Sequence, residues 1–146
     1  MSFRSRFVIA LLLAFLLLPL ACRVPSDTTT VTRVIDGDTV VVEGGYHVRY
    51  VGIDAPESGE FYYLESKQIN EGLVAGKSVR LERDISDKDS YGRLLRYVYV
   101  GDEFVNAEMV RQGCAWAIAY PPDIKYQVYL EAIEKEARQS RRGIWR

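Results

Sequence analysis

At 146 residues, with 48% hydrophobic, 27% charged and 12% aromatic residues, the chain has the size of one domain and too much apolar and ring surface to be disordered. Setting residues 1–21 aside leaves 17 Lys and Arg against 20 Asp and Glu, a charge of −3, which excludes a protein that holds duplex DNA by a broad basic surface. Work on a polyanion would have to come from a local site.

The opening residues predict a segment apart from the domain. "MSFRSR" carries Arg4 and Arg6, "FVIALLLAFLLL" (7–18) is an unbroken apolar run, and Pro19, Leu20, Ala21 and Cys22 follow. A basic start, an apolar stretch of about 7–15 residues and a small residue before the cut describe a secretory signal peptide over 1–21. The run falls short of the roughly 20 residues that a membrane span needs. "LLLPLAC" resembles the lipobox of bacterial lipoproteins, whose cysteine becomes the lipid-bearing N-terminus, although Pro19 stands where Leu is usual. The expectation is an exported chain, anchored to a membrane through Cys22 or secreted after simple cleavage behind Ala21. With Cys22 acylated, Cys114 has no intramolecular partner, and its apolar setting "GCAWAIA" reads as a small buried hydrophobe.

Residues 22–29 read as a polar tether and 30–146 as the domain. "TVTRVI", "TVVVE" and "YHVRYVGI" alternate apolar and polar residues, with turns at Asp36-Gly37 and Gly44-Gly45, so 30–53 predicts a three-stranded meander. Pro56 ends it. A helix is expected over about 60–75, with Leu64, Ile69 and Leu73 on its apolar face and Gly76 behind it. "SVRLERD" and "RLLRYVYV" read as strands around the polar loop "ISDKDSYG". Asn106 is expected to cap a short helix ended by Gly113, and Asp123 a last helix striped by Tyr126, Leu130, Ile133 and Ala137. Ile144 and Trp145 would dock back. The pattern predicts a mainly β, α+β fold: a five-stranded OB-type Greek-key barrel with three α-helices.

The charged residues set into the meander are its chemistry. Asp38 and Asp54 sit at strand ends, and hard oxygen donors of this kind suit Ca²⁺ or Mg²⁺. One histidine, His47, and no Cys/His cluster argue against zinc or a Ser-His-Asp triad. Glu57, held behind Pro56, is a candidate general base. Arg49 and Arg93 carry forks that match phosphate oxygens. Singly, each of these residues is more often structural. Jointly they suggest phosphodiester hydrolysis. Arg49 and Asp54 are five apart, so a regular strand would part them; they share a site if the strand twists or bulges, with Gly52 as the place for the bend, or if Asp54 lies past its end.

"VIDGDTV", "VRYVGIDAPE" and "DSYGRLLRYVYV", followed by "EFVNAEMVRQGCAWA" and "GIWR", resemble the staphylococcal nuclease (thermonuclease) family from about Thr30 to Trp145. The resemblance implies an OB barrel with three helices and a nuclease that cuts DNA and RNA with Ca²⁺, leaves 3′-phosphate ends and prefers single strands. It implies that Asp38, Asp54 and the backbone carbonyl of Ala55 ligate the metal, with Asp36 supporting them. Glu57 would be the general base, Arg49 and Arg93 would hold the scissile phosphate, and Tyr91 would lie near a substrate phosphate. The segment after Glu57 is shorter than in the family's type enzyme, and Ser90 stands where that enzyme has lysine. A monomer is expected. The competing expectation is a non-catalytic OB module, a lipoprotein that binds nucleic acid or protein.

Overall fold

The structure, a computed structural model, describes residues 27–146; the expected signal segment, Cys22 and the tether up to Ser26 lie outside the described residues. The meander is β1 (Thr28–Val34), β2 (Thr39–Val42) and β3 (Tyr46–Tyr50). Next come the short β4 (Ile53–Asp54), α1 (Tyr63–Val74), β5 (Ser78–Glu82), β6 (Leu94–Val100) and the short β7 (Glu103–Phe104). The chain ends through α2 (Val105–Arg111), the short β8 (Trp116–Ala117) and α3 (Gln127–Gln139). The first strand thus begins at Thr28, inside the segment read as tether. The third ends at Tyr50 rather than Ile53.

Five strands close a barrel. β1 pairs antiparallel with β2 on one side and with β5 on the other, β2 with β3, and β5 with β6. The parallel pairing of β3 with β6 completes the ring. β1 can serve two neighbours because its register with β2 slips between Val31 and Arg33, a bulge that turns the strand from one partner to the next. The expected OB-type barrel with three helices is therefore present, and β4, β7 and β8 are two-residue additions.

Valines fill the interior. Val31, Val40, Val48, Val74, Val79, Val98, Val105 and Val110 are all buried, with Ile53, Met109, Leu130 and Ile133 among them. Beside this core Tyr97, Phe104 and Tyr126 meet edge to face or tilted, with Tyr97 and Tyr126 4.7 Å apart. α3 buries Leu130, Ile133 and Ala137, as its stripe predicts. At the C-terminus the Ile144 N–H donates to the Gly113 carbonyl at 2.9 Å, and the Arg138 guanidinium covers the Trp145 ring.

Three helix readings need correction. α1 buries Ser66, Asn70 and Val74 instead of Leu64, which is 64% exposed; Ile69 and Leu73 pack only partly. The helix covers the polar mouth of the barrel, where backbone carbonyls need donors. Asn106 lies inside α2, which starts at Val105; its amide is buried, accepting from Val98 N–H and donating to the Val51 carbonyl. Asp123 precedes α3 by four residues and instead accepts from the N–H groups of Ile85 and Ser86.

Candidate active site

The tight turn between β1 and β2 carries Asp36 and Asp38, and the Asp36 carboxylate accepts the Asp38 N–H at 3.0 Å. Gly37 between them allows α1 to approach: a Cβ there would lie 2.0 Å from Ser66 Oγ and 2.7 Å from the Ala55 Cβ. Asn70, one turn further along α1, donates to the Asp36 carbonyl and accepts from the Tyr50 hydroxyl. Helix and barrel thus grip the acidic turn from both sides.

Arg49 on β3 ties the acids together. Its Nη1 donates to the carbonyls of Tyr50 and Ile53 at 2.7 and 2.8 Å, its Nη2 to Asp54 Oδ1 at 2.7 Å, and its Nε lies 3.3 Å from Asp38 Oδ1. Gly52, at a φ of +79°, makes the bend that lets residues five apart meet. A side chain there would strike Leu130 as well. Asp38 Oδ1 also accepts from the Thr39 hydroxyl at 2.8 Å, and Oδ2 from the Ala55 N–H at 2.6 Å. Burial pushes the Asp38 carboxyl up to about 7, against the pull of Arg49 and with the help of Asp36.

Arg93 belongs to a second cluster, on the loop before β6. Asp89 Oδ1 accepts the N–H groups of Tyr91 and Arg93, and its Oδ2 takes Arg93 Nε at 2.6 Å. Burial alone would raise the Asp89 carboxyl, but these bonds outweigh it and hold the group below the usual carboxylate range. Arg93 and Tyr91 line a cleft of about 410 Å³ with Gly45, Tyr46, His47 and Gly92. The β3–β6 pairing sets Val48 opposite Leu94, so the loop that carries Arg93 runs into the strand beside Arg49.

The structure brings Asp36, Asp38, Arg49, Asp54 and Ala55 into one constellation, with Arg93 and Tyr91 in the cluster beside it. Glu57 is exposed where the chain leaves β4; its backbone pairs with Glu60, and its side chain makes no hydrogen bond or ion pair with either cluster among the described residues. Thr39, Asn70 and Asp89 are residues that sequence reading missed. The signal for Asp89 was its place ahead of a turn glycine in "DSYG", where an aspartate bonds to following N–H groups. His47 is exposed. Burial pushes the Cys114 thiol up to about 12, which fits the inert cysteine that its setting suggests.

No group of three or more His, Cys, Asp or Glu side chains capable of holding a metal is gathered among the described residues. The donors that are present nonetheless suit a hard cation: two carboxylates lie on one arginine, and a third adjoins them. Asp38 is desolvated by burial, and the second oxygen of the half-exposed Asp54 carboxylate has no hydrogen bond among the described residues.

Comparison with known proteins agrees with this reading of the barrel. Residues 47–146 match the family model for staphylococcal nuclease homologues. A thermonuclease of Staphylococcus intermedius is 36% identical over 131 residues, covering 84% of this chain and 78% of its own. An uncharacterized endonuclease of Escherichia coli O157:H7 is 40% identical over 124 residues, covering 79% and 74%. One from Haemophilus influenzae is 38% identical over 146 residues, covering 97% and 79%. The chain belongs to the staphylococcal nuclease family.

Proposed function

We propose that this nuclease, a hydrolase of phosphodiester bonds, cuts both DNA and RNA with Ca²⁺ and leaves 3′-phosphate ends. The observation that carries the proposal is the knot of Arg49 with Asp38 and Asp54, in which two acids share one guanidinium and burial raises Asp38. Asp38, Asp54 and the Ala55 carbonyl would hold the ion, and Asp36 steadies Asp38 through its backbone N–H. When bound, Ca²⁺ supplies positive charge to the carboxylates and to the phosphate in flight.

The chain's own residues do the rest. Arg49 Nη2 has a second N–H besides the one on Asp54, and with Arg93 it meets the charge that grows on the phosphate oxygens. Glu57 takes a proton from the attacking water as the water oxygen bonds to phosphorus. The bond from phosphorus to the 5′ oxygen breaks, and that oxygen takes a proton from solvent and leaves as a 5′-hydroxyl. Tyr91 lies at the phosphate of a neighbouring nucleotide. The basic start and apolar run within 1–21 and Cys22 support an exported protein of the bacterial envelope, lipid-anchored or secreted.

The test is cleavage of single-stranded DNA, duplex DNA and RNA by the purified protein, with Ca²⁺ and with a chelator. Cutting is expected only with Ca²⁺, fastest on single strands, with 3′-phosphate ends, and reduced about 10²–10⁴-fold in Glu57→Gln. An inert but folded wild type that still binds nucleic acid would establish the non-catalytic OB module instead.

A further inference from the structure

The cleft around Arg93 holds more than phosphate chemistry requires. Two tyrosines stand on it with their rings in solvent, Tyr46 58% and Tyr91 84% exposed. Both rings are nevertheless positioned. A Cβ on Gly44 would come within 2.7 Å of Tyr46 Cε2, so the bare turn before β3 is what lets that ring lie against it. The Arg93 guanidinium lies over the Tyr91 ring, 5.5 Å from its centre. Gly45 and Gly92 line the cleft without side chains to fill it, and His47 adds a polar ring. The volume of about 410 Å³ falls in the range of small-ligand sites, about 300–1,000 Å³.

Asp89 occupies Arg93 Nε, and among the described residues no other side chain bonds the Nη groups, which leaves that end of the fork for an anion. One aromatic ring against the guanidinium and a second lining the same cleft match a flat π-system joined to a phosphate. A base inside a duplex is already paired and stacked, whereas an unpaired base can leave its neighbours for a protein ring.

We propose that the cleft is a nucleobase subsite. An unpaired base stacks between Tyr46 and Tyr91, and its adjoining phosphate rests on the Nη groups of Arg93. Tyr46 is then a specificity-determining residue that favours single strands over duplex. The proposal rests on the nuclease reading and adds to it a base contact, through the ring faces of Tyr46 and Tyr91, in the cluster beside the acids.

The test is equilibrium binding of a short oligodeoxythymidine strand and of a duplex of equal length. Binding is read by fluorescence anisotropy, with chelator present so that nothing is cut. Tyr46→Ala is expected to weaken single-strand binding about tenfold or more and duplex binding less than twofold, and Tyr46→Phe to restore the wild-type value. Equal single-strand binding by wild type and Tyr46→Ala overturns the proposal, as does failure of Phe to restore it or absence of wild-type binding. Because no cleavage enters the readout, the two readings fail separately. A Tyr46 effect in a protein that never cuts sustains the subsite and removes the nuclease. Ca²⁺-dependent cutting without a Tyr46 effect does the reverse.

Discussion

Arg49, on β3, and Arg93, on the loop just before the neighbouring β6, are the same residue type, and the protein uses them in opposite ways. Arg49 is buried, with three hydrogen bonds and an ion pair drawn inward to two carbonyls and two acids. Arg93 is about a third exposed, its guanidinium hydrogen-bonded through Nε to an aspartate that also shapes its own turn. The first is part of the fold and offers one spare N–H to a ligand. The second is a surface group whose outer end is open. Position is secured by burial in one case and by a turn in the other, so loss of each should read out differently in stability.

Removing Arg49 is the largest test of that difference. Arg49→Ala leaves Asp38 buried beside Asp36 without its cation, and breaking a buried pair in this way costs about 3–5 kcal/mol. Urea unfolding should show that loss together with a fall in kcat/KM of about 10³-fold. Arg49→Lys should recover part of the stability but little of the activity, because an ammonium cannot reach two carbonyls and two acids at once. Arg93→Ala should lower kcat/KM about 10²–10³-fold yet move the unfolding free energy by less than about 1 kcal/mol. Equal destabilisation by both alanine variants would erase the distinction.

A smaller effect sharpens the surface side of the comparison. In Asp89→Ala, Arg93 keeps its charge and loses its tether, so the guanidinium wanders from the productive position. A fall of about 10–100-fold in kcat/KM is expected, with the salt dependence of binding unchanged because no cation has been lost. A steeper salt response would mean that Arg93 is not what Asp89 positions.

The barrel and the Arg49 knot were legible in the sequence for one reason: their residues lie close in the chain. Strand alternation, the turn at Asp36-Gly37 and the bend at Gly52 are local signals, and together they place Asp38, Arg49 and Asp54 at one mouth. Contacts made across long separations left no such trace. The polar stripe Ser66 and Asn70 is buried because the helix closes a barrel end whose carbonyls belong to Cys114 and Asp36, 48 and 34 residues away. Helical periodicity favoured Leu64 for the same face, and nothing local contradicted it. Asn106 and Asp123 look like helix caps because their residue types are those of caps; their partners, Val51 and the Ile85–Ser86 pair, are 55 and 37–38 residues away.

Asp123 gives the smallest and most specific prediction, since it anchors the loop that leads to the Arg93 cluster. The residue is buried, and its Oδ1 accepts from Ile85 N–H at 2.9 Å and Ser86 N–H at 2.7 Å. Burial pushes its carboxyl upward, but the bonds from Ser86 and Ile85 and the nearby Arg83 outweigh it and depress the folded pKa. An unfolded aspartate titrates near 3.9, so below neutrality the unfolded chain takes up this proton first. The stabilisation is therefore complete above about pH 4–5 and lost as pH falls through the folded value. Asp123→Asn keeps an acceptor oxygen and removes the charge. It should cost about 1 kcal/mol at pH 7, the difference between charged and neutral acceptors, and nothing once the wild-type acid is protonated. Urea unfolding of both proteins from pH 7 down to the acid limb would then give curves that converge. A constant gap would assign the whole effect to shape and packing, and the carboxylate charge would have no part in holding the loop that carries Arg93.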